Sequence, residues 1–361
     1  MWRRTEPPPH ARNPASRGGR DERGTRTGSA ANDADRASQR ADQRLLCSDS
    51  VSDQPGRILI TGANGHLGRL LLRRIAAAFP RCRVRAAVRS ERAADQLRAL
   101  PEATRPEIDI VDYRDAFALA RASDECSHAV HLVGILKQTR SNRYIDAHEN
   151  ASAAFAEAAS RAELQRIVSL SILGADAQAP NACLASRGRA DEILLEGEVP
   201  ALVLRLPMVL GAGDAAAQAL RREAGAHRTT LVRGGKTREQ PIGADDVTDA
   251  IIAGLVRPEL DRVALDLAGP ESLTHRELLQ RAATLLGFSV RVRSIPLVAA
   301  RFAALLAEKL RADPPITRAM LGVLQQDDDV DTSRACSLLG IELTPLDEVL
   351  QHCFAQEEEP R

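Results

Sequence analysis

Lysine and tyrosine are nearly absent from this chain of 361 residues. Only three of its 49 basic side chains are lysines: Lys137, Lys236 and Lys309. The only tyrosines are Tyr113 and Tyr144. The 49 acidic side chains bring the net charge to zero, so the composition does not call for a nucleic-acid partner. No stretch of about 18 apolar residues occurs, so no membrane-spanning helix is predicted.

The six cysteines form no CxxC pair. This argues against a zinc centre and against a disulfide framework, so no metal site is predicted. No apolar segment of the signal-peptide kind follows the charged N-terminus. We therefore expect a reducing, cytoplasmic compartment, with peripheral attachment to a membrane as the alternative.

Residues 1–44 contain no valine, isoleucine, leucine, phenylalanine or tyrosine. They hold ten arginines against six acidic residues, a net charge of +4. Such a segment cannot offset its chain entropy by burying apolar surface, so we predict a disordered and removable extension. We extend it over 1–56 because the first strand pattern begins at Arg57. A basic tail that contacts an acidic partner is the alternative interpretation.

From Arg57 onward, short β-rich apolar runs alternate with segments of helical periodicity. The runs predict six strands up to residue 207: Arg57–Thr61, Val84–Val88, Ile108–Val111, Ala129–Val133, Arg166–Leu170 and Ala201–Leu206. Strands and helices at this spacing indicate βαβ units and a parallel sheet. The prediction is an α/β fold in which a doubly wound parallel sheet of the Rossmann type spans 57–207.

After residue 208 the alternation loosens into loops, a late strand at Ala264–Leu267 and several helices. We predict a mixed segment over 208–361, of which part returns to the sheet and part forms a smaller cap for a substrate or partner. One helix of this segment, near Leu297–Leu310, is amphipathic and rich in alanine. We expect it to pack against the domain; a role at a membrane surface is the alternative.

A glycine-rich turn follows the first strand and opens the first helix, as a dinucleotide-binding turn must. Its residues are Gly62, Ala63, Asn64, Gly65, His66, Leu67 and Gly68. The first glycine permits the tight turn, the second lets the backbone approach a pyrophosphate, and the third allows close packing of helix and strand. The pyrophosphate would lie at the positive N-terminal end of the helix.

The end of the second predicted strand indicates which dinucleotide is preferred. An NAD-binding chain usually has a carboxylate there for the adenosine ribose. No Asp or Glu occurs from Arg69 through Ser90, and the strand is followed by Arg89. A guanidinium at that place would pair with a ribose 2′-phosphate, so NADP(H) is predicted over NAD(H). The alternative is that Arg89 is a solvated surface residue.

The turn Thr61–Gly68 resembles that of the short-chain dehydrogenase/reductase superfamily in its extended and atypical branches. Three further places carry the resemblance. Asp112 matches an adenine-contacting aspartate, Leu132-Val133-Gly134 matches the loop beneath the cofactor, and Ser171 stands where the family keeps a catalytic serine or threonine. The resemblance implies a Rossmann fold with a bound nicotinamide dinucleotide.

Among the branches, the chain is most similar to the group of the NAD(P)H-binding accessory subunit of respiratory complex I and its bacterial relatives. The segments His131–Leu136, Ser171–Asp176 and Leu321–Leu350 carry this resemblance. It implies a partner in a respiratory or other protein complex.

The resemblance fails at the family's catalytic tyrosine and lysine, which lie four residues apart on one helix. The matching positions hold Cys183 and Arg187. A thiol replaces a phenol poorly, and a guanidinium differs from an ammonium in geometry. Arg187 could still bind the nicotinamide ribose, and Cys183 beside it could be a reactive thiolate. We favour a small, half-buried Cys183 without chemistry.

Substitutes for the missing pair are few. Tyr144 could reach a substrate, and His131 or His148 could act as a general base, although structural hydrogen-bonding roles are favoured for these histidines. The favoured prediction is a cofactor-binding accessory, assembly or redox-sensing protein. The alternative is an NADPH-dependent reductase, or an enzyme similar to nucleotide-sugar epimerases, with a non-standard proton donor.

Overall fold

The structure, a computed structural model, describes residues 55–311 and 313–355. The predicted N-terminal extension therefore lies outside the described residues, apart from positions 55 and 56. The described part contains these strands: β1 (Arg57–Thr61), β2 (Arg83–Val88), β3 (Glu107–Ile110), β4 (His128–His131), β5 (Arg166–Ile172), β6 (Ala201–Leu206), β7 (Val209–Leu210), β8 (Arg228–Val232), β9 (Arg238–Glu239), β10 (Ile242–Gly243), β11 (Val263–Asp266), β12 (Leu273–Thr274) and β13 (Arg291–Ile295).

Seven of these strands form one parallel sheet in the order β3–β2–β1–β4–β5–β6–β11. The order reverses between β1 and β4, where a doubly wound sheet opens a crevice at the carboxyl ends of its strands. The predicted α/β fold with a parallel Rossmann sheet is thereby confirmed. The late strand β11 joins the sheet beside β6.

Helices cover both faces of the sheet and continue into the C-terminal segment. The described α-helices are α1 (His66–Ala78), α2 (Glu91–Arg98), α3 (Ala116–Ala122), α4 (Ala151–Arg161), α5 (Ala182–Glu196), α6 (Ala215–Ala224), α7 (Ala244–Leu255), α8 (His275–Leu285), α9 (Leu297–Leu310), α10 (Arg318–Val323), α11 (Ser333–Leu339) and α12 (Leu346–Ala355). A π-helical turn, Ile145–Asn150, leads directly into α4.

The central strand β1 is buried on both faces because helices cover both sides of the sheet. Ile58 and Ile60 pack into one apolar cluster, with side chains of α1 and α7. Leu59, between them in the sequence, packs into a second cluster with side chains of α3 and α4. This double burial explains why the strand is a continuous apolar run without polar alternation.

Part of the C-terminal segment packs around a third apolar cluster, which α6, α8 and α12 share. Another part packs on a helix of the Rossmann region: α9 packs on α10, and α10 packs on α5. The expectation that α9 packs its apolar side chains against the domain is not met for most of the helix, because only Ala304 is buried in it. Within the described ranges, no helix has both the length and the hydropathy needed to cross a bilayer.

Candidate functional site

The predicted dinucleotide turn connects β1 to α1 at the crevice of the sheet. Gly62 has a φ of +77°, a left-handed conformation that favours glycine. A Cβ atom on Gly68 would lie only 2.6 Å from the backbone of Ala63, which real Cβ atoms do not approach so closely. Gly68 therefore allows the first turn of α1 to lie directly against the strand end, as the sequence predicted.

The N-terminus of α1 has the features of an anion-binding site. No side chain of residues 55–311 or 313–355 caps it, and no acidic residue occurs in its first turn. Its first backbone N–H groups therefore have no side-chain acceptor, and the helix dipole favours a negative group in front of them. Burial lowers the pKa of His66; Asp214 and Asp245 oppose this shift, whereas Arg69 and Arg73 add to it. The turn thus fits the pyrophosphate of a dinucleotide.

Asn64 and Leu67, two further residues of the turn, have different environments. Asn64 is partly exposed, and its side-chain amide donates to Oε1 of Gln96 at 3.2 Å. Leu67 is partly buried and packs against the main apolar cluster. Asn64 thus borders the crevice, whereas Leu67 anchors the helix.

Arg89, Asp112 and Tyr113 meet at the carboxyl ends of β2 and β3. The Arg89 guanidinium lies 5.9 Å from the centre of the Tyr113 ring. The Tyr113 hydroxyl donates to the carbonyl of Ala87 at 2.8 Å and accepts the N–H of Gly62 at 3.0 Å. Tyr113 therefore braces the glycine turn, a role that its place in the sequence does not reveal.

The carboxylate of Asp112 is exposed to solvent but is already hydrogen-bonded to Arg114. The Arg114 guanidinium donates to it through Nε at 3.1 Å and Nη2 at 2.7 Å. These hydrogen bonds lower the pKa of Asp112. To contact an adenine as the resemblance implies, Asp112 would have to share its carboxylate with Arg114.

The loop after β4 borders the crevice on its other side. The Leu132 N–H donates to the carbonyl of Thr61 at 3.2 Å, which continues the pairing of β4 with β1. Val133 is buried, and its carbonyl points to the guanidinium of Arg187. A Cβ atom on Gly134 would lie 2.6 Å from Nη2 of Arg187. Gly134 thus leaves the room that this guanidinium occupies.

Arg187 fastens the ends of two adjacent strands. Its side chain, 7% exposed, donates to the carbonyl of Val133 at 3.0 Å and to the carbonyl of Leu170 at 2.8 Å. Burial lowers its pKa, whereas the nearby carboxylate of Asp191 opposes that shift. An arginine remains charged under such conditions. The guanidinium therefore joins the ends of β4 and β5 as a cationic clamp.

Helix α5 begins at Ala182, one residue before Cys183. The side chain of Asn181 accepts the N–H groups of Cys183 and Leu184, and this cap extends the helix. Cys183 and Arg187 are therefore one turn apart on the same helix.

The thiol of Cys183 is fully buried, with a relative exposure of 0%. Its Sγ atom lies 3.8 Å from the carbonyl oxygen of Ile135. Burial raises the pKa of Cys183, and the positive charge of Arg187 offsets this only in part. A reactive thiolate needs the opposite environment, so the geometry argues against that alternative.

Tyr144 reaches the neighbourhood of Cys183 from the segment before the π-helical turn. Its hydroxyl donates to the carbonyl of Leu136 at 2.8 Å and also borders the side chains of Cys183 and Thr317. The residue is 3% exposed, and burial raises the pKa of its phenol. Tyr144 thus lies beside Cys183 as a buried, hydrogen-bonded group.

Two histidines beneath the site are neutral and inaccessible. Burial lowers the pKa of His131 and of His148 to about 3 in each case. Nδ1 of His131 is hydrogen-bonded to the Thr61 hydroxyl at 2.9 Å, and Nε2 of His148 lies 3.0 Å from the carbonyl oxygen of Ile135. Their exposures of 1% and 0% favour the structural roles over general-base catalysis.

Ser171 lies at the end of β5 and is 5% exposed. It borders Asp191, whose carboxylate accepts Nε of Arg205 at 2.9 Å. Burial raises the pKa of Asp191, and the contacts with Ser171 and Arg205 oppose this rise. Asp191 lies one helical turn after Arg187. Sequence reasoning missed this buried ion pair, although an aspartate on the inner face of α5 was a signal for it.

Comparisons with known proteins indicate the family and the fold of the chain. A family model described as NAD(P)H-binding matches residues 62–257. A protein of Caulobacter vibrioides named ceramide reductase is 27% identical over 248 residues, which cover 68% of this chain and 75% of that protein.

Solved structures share the architecture. Triphenylmethane reductase of Citrobacter sp., complexed with NADP(H), superposes with a TM-score of 0.65 at 18% identity over 82% of this chain and 100% of that one. A nucleoside-diphosphate-sugar epimerase of Pseudomonas aeruginosa has a TM-score of 0.62 at 19% identity over 84% and 98% of the two chains. At these identities the likeness shows the fold alone.

Proposed function

Because this chain belongs to the NAD(P)H-binding family, we propose that it holds NADP(H) in its crevice without a Tyr–Lys proton relay. One observation carries the proposal: the guanidinium of Arg187, which stands at the lysine position, is hydrogen-bonded to the protein's own main chain. Both terminal nitrogens of Arg187 donate to main-chain carbonyls, of Val133 and Leu170. A group fixed in this way braces the floor of the site and is not positioned to tune a phenol's pKa.

The binding part of the site supports the first half of the proposal. The uncapped start of α1 would hold the pyrophosphate, and Gly62 and Gly65 would let the backbone approach it. Arg89 is exposed beside Tyr113, where it can pair with a ribose 2′-phosphate. When bound, the reduced dinucleotide would supply a hydride, and Leu132, Val133 and Gly134 would border its nicotinamide end.

The proposed role is that of an accessory, assembly or redox-sensing protein whose folded state is stabilised by the dinucleotide. The comparisons reported above include no respiratory protein, so the similarity to the complex I accessory subunit stays a prediction from the sequence. The same holds for a protein-complex partner.

The test measures binding and turnover on the same sample. NADPH should raise the melting temperature of the full chain. When carbonyl substrates or nucleotide sugars are added, the absorbance of NADPH at its reduced-nicotinamide band should stay unchanged. Gly68→Ala serves as the control, because its Cβ would collide with Ala63 and weaken binding. Robust NADPH oxidation by the wild type but not by Gly68→Ala would overturn the proposal.

A second function is favoured by the curated relative. A named ceramide reductase matches 68% of this chain at 27% identity, which supports an NADPH-dependent reductase acting on a ceramide-type lipid. With Cys183 and Tyr144 buried, the proton for the reduced oxygen would come from water in the crevice. Reduction of an oxidised ceramide by the wild type, with an equal rate in Cys183→Ala, is the result that would establish this second function.

A further inference from the structure

Helix α9 presents an apolar stripe to solvent. Val298, Phe302, Leu306 and Leu310 recur at four-residue spacing, and their exposures are 78%, 60%, 42% and 81%. Residues at this spacing lie on one slowly winding side of a helix. Only Ala304 of the helix is buried. A stripe of four large exposed apolar side chains is unusual on a protein surface that contacts only water.

The charges around the stripe are positive. Arg301 and Lys309 are exposed on α9, and Arg311 follows its last residue. Exposed Arg291 and Arg293 lie on β13, which precedes α9 in the sequence. None of these five cations takes part in an ion pair with another described residue.

The single acid of the helix, Glu308, does not offset these cations. Its side chain is 23% exposed and pairs with Nε of Arg318 at 2.9 Å. An apolar stripe bordered by basic residues is the pattern of a helix that lies in the interface of an anionic bilayer. A second copy of this chain fits less well, because a symmetric contact would set these cations against one another.

The position of α9 connects this surface to the crevice. The helix packs on α10, which in turn packs on α5, the helix that carries Cys183 and Arg187. Just beyond α9, Asp313 forms an ion pair with Lys137 at 2.6 Å, in the loop that follows β4. The exposed stripe is therefore one helical layer away from the loop and helix that border the nicotinamide end.

We propose that α9 docks the protein onto an anionic lipid bilayer, with Val298, Phe302, Leu306 and Leu310 inserted at the level of the headgroups. The flanking arginines and Lys309 contact the lipid phosphates. Docking in this way places the crevice next to the membrane surface. This inference does not depend on whether the chain turns over its cofactor.

The test is co-sedimentation of the full chain with vesicles. Wild type should bind vesicles that contain phosphatidylglycerol and bind phosphatidylcholine vesicles weakly. Phe302→Ser should weaken binding roughly tenfold, because it removes one large apolar side chain from the interface. Phe117→Ser is the matched control, since Phe117 is 62% exposed on α3 and lies outside the stripe. It should bind as wild type does.

A second variant distinguishes vesicle binding by the charges of α9 from vesicle binding by the basic residues 1–44. Arg301→Glu with Lys309→Glu, both at exposed positions, should abolish the preference for phosphatidylglycerol while leaving the melting temperature unchanged. Binding to anionic vesicles that is equal in wild type, Phe302→Ser and the double variant would overturn the proposal. So would a concentration-dependent dimer that Phe302→Ser disrupts in a chain that binds no vesicles.

Discussion

Replacing Arg187 by methionine tests whether this arginine is a structural clamp. The change keeps most of the side-chain volume but removes two hydrogen bonds from a charged donor, each worth about 1.5–3 kcal/mol. It leaves the carbonyls of Val133 and Leu170 without this partner and removes a positive charge near the buried carboxylate of Asp191. The buried Nε of Arg187 has no hydrogen-bond partner among the described residues, which reduces the net gain of the native residue.

Together these terms predict that Arg187→Met lowers the free energy of unfolding by about 3–5 kcal/mol. Arg187→Lys keeps the charge but has one donor group for two carbonyls, so we expect a loss of about 1–2 kcal/mol. For a chain of this size the methionine variant should melt roughly 10 °C lower. Thermal scans and guanidinium unfolding of both variants, each compared with wild type, measure the effect.

The cofactor provides the second readout for these variants. If Arg187 is a clamp, the stabilisation by saturating NADPH should be nearly the same in wild type and Arg187→Lys. A methionine variant as stable as wild type would refute the clamp. An Arg187→Lys variant that is stable but has lost NADPH affinity would instead assign the guanidinium to the nicotinamide ribose.

Three further changes test other parts of the molecule. Arg89→Asp should weaken NADPH roughly tenfold or more and NADH little, measured by fluorescence titration; equal wild-type affinity for both would exclude a 2′-phosphate contact. Cys183→Ala should leave any NADPH oxidation rate unchanged, since burial raises the pKa of this thiol. Burial by itself lowers the pKa of His275, but Glu223 and Glu239 outweigh it and raise the pKa to about 10. The charged His275 therefore adds stability that is complete below pH 6.5 and is lost as pH rises towards 10. His275→Gln should reduce the loss of unfolding free energy over this pH range by about 1.5–3 kcal/mol. Curves of unfolding free energy against pH that run parallel in wild type and variant would contradict this expectation.

Periodicity and glycine placement predicted the part of the molecule that depends on local pattern. β1 is recognisable because both faces of a central parallel strand are buried, which leaves a short apolar run. The turn that follows is recognisable because the φ of Gly62 favours glycine and the close approach at Gly68 leaves no room for a Cβ atom. Such constraints act within a few residues and can be read from the chain.

The destinations of long side chains could not be predicted in the same way. Tyr144 turns towards Cys183, 39 positions away in the sequence, and Tyr113 supports Gly62 from 51 positions away. These contacts depend on how the strands are ordered and how the loops between them run. The exposure of the α9 stripe was missed for a related reason: an amphipathic pattern shows that a helix has an apolar side but not what covers it.

The loop residue Gly134 is required for the space that it leaves and not for its backbone conformation. Its φ is not in the left-handed region, so the backbone does not require glycine there. The requirement is space, because a Cβ atom would lie 2.6 Å from Nη2 of Arg187. A free arginine could swing away, but two hydrogen bonds hold this one. Gly134→Ala should therefore cost about 1–3 kcal/mol in wild type and much less in Arg187→Lys, whose shorter head leaves room. A double-mutant cycle of unfolding free energies measures this coupling. Additive effects would mean that Arg187 does not restrict the residue at position 134, so that only the cofactor would require a glycine there.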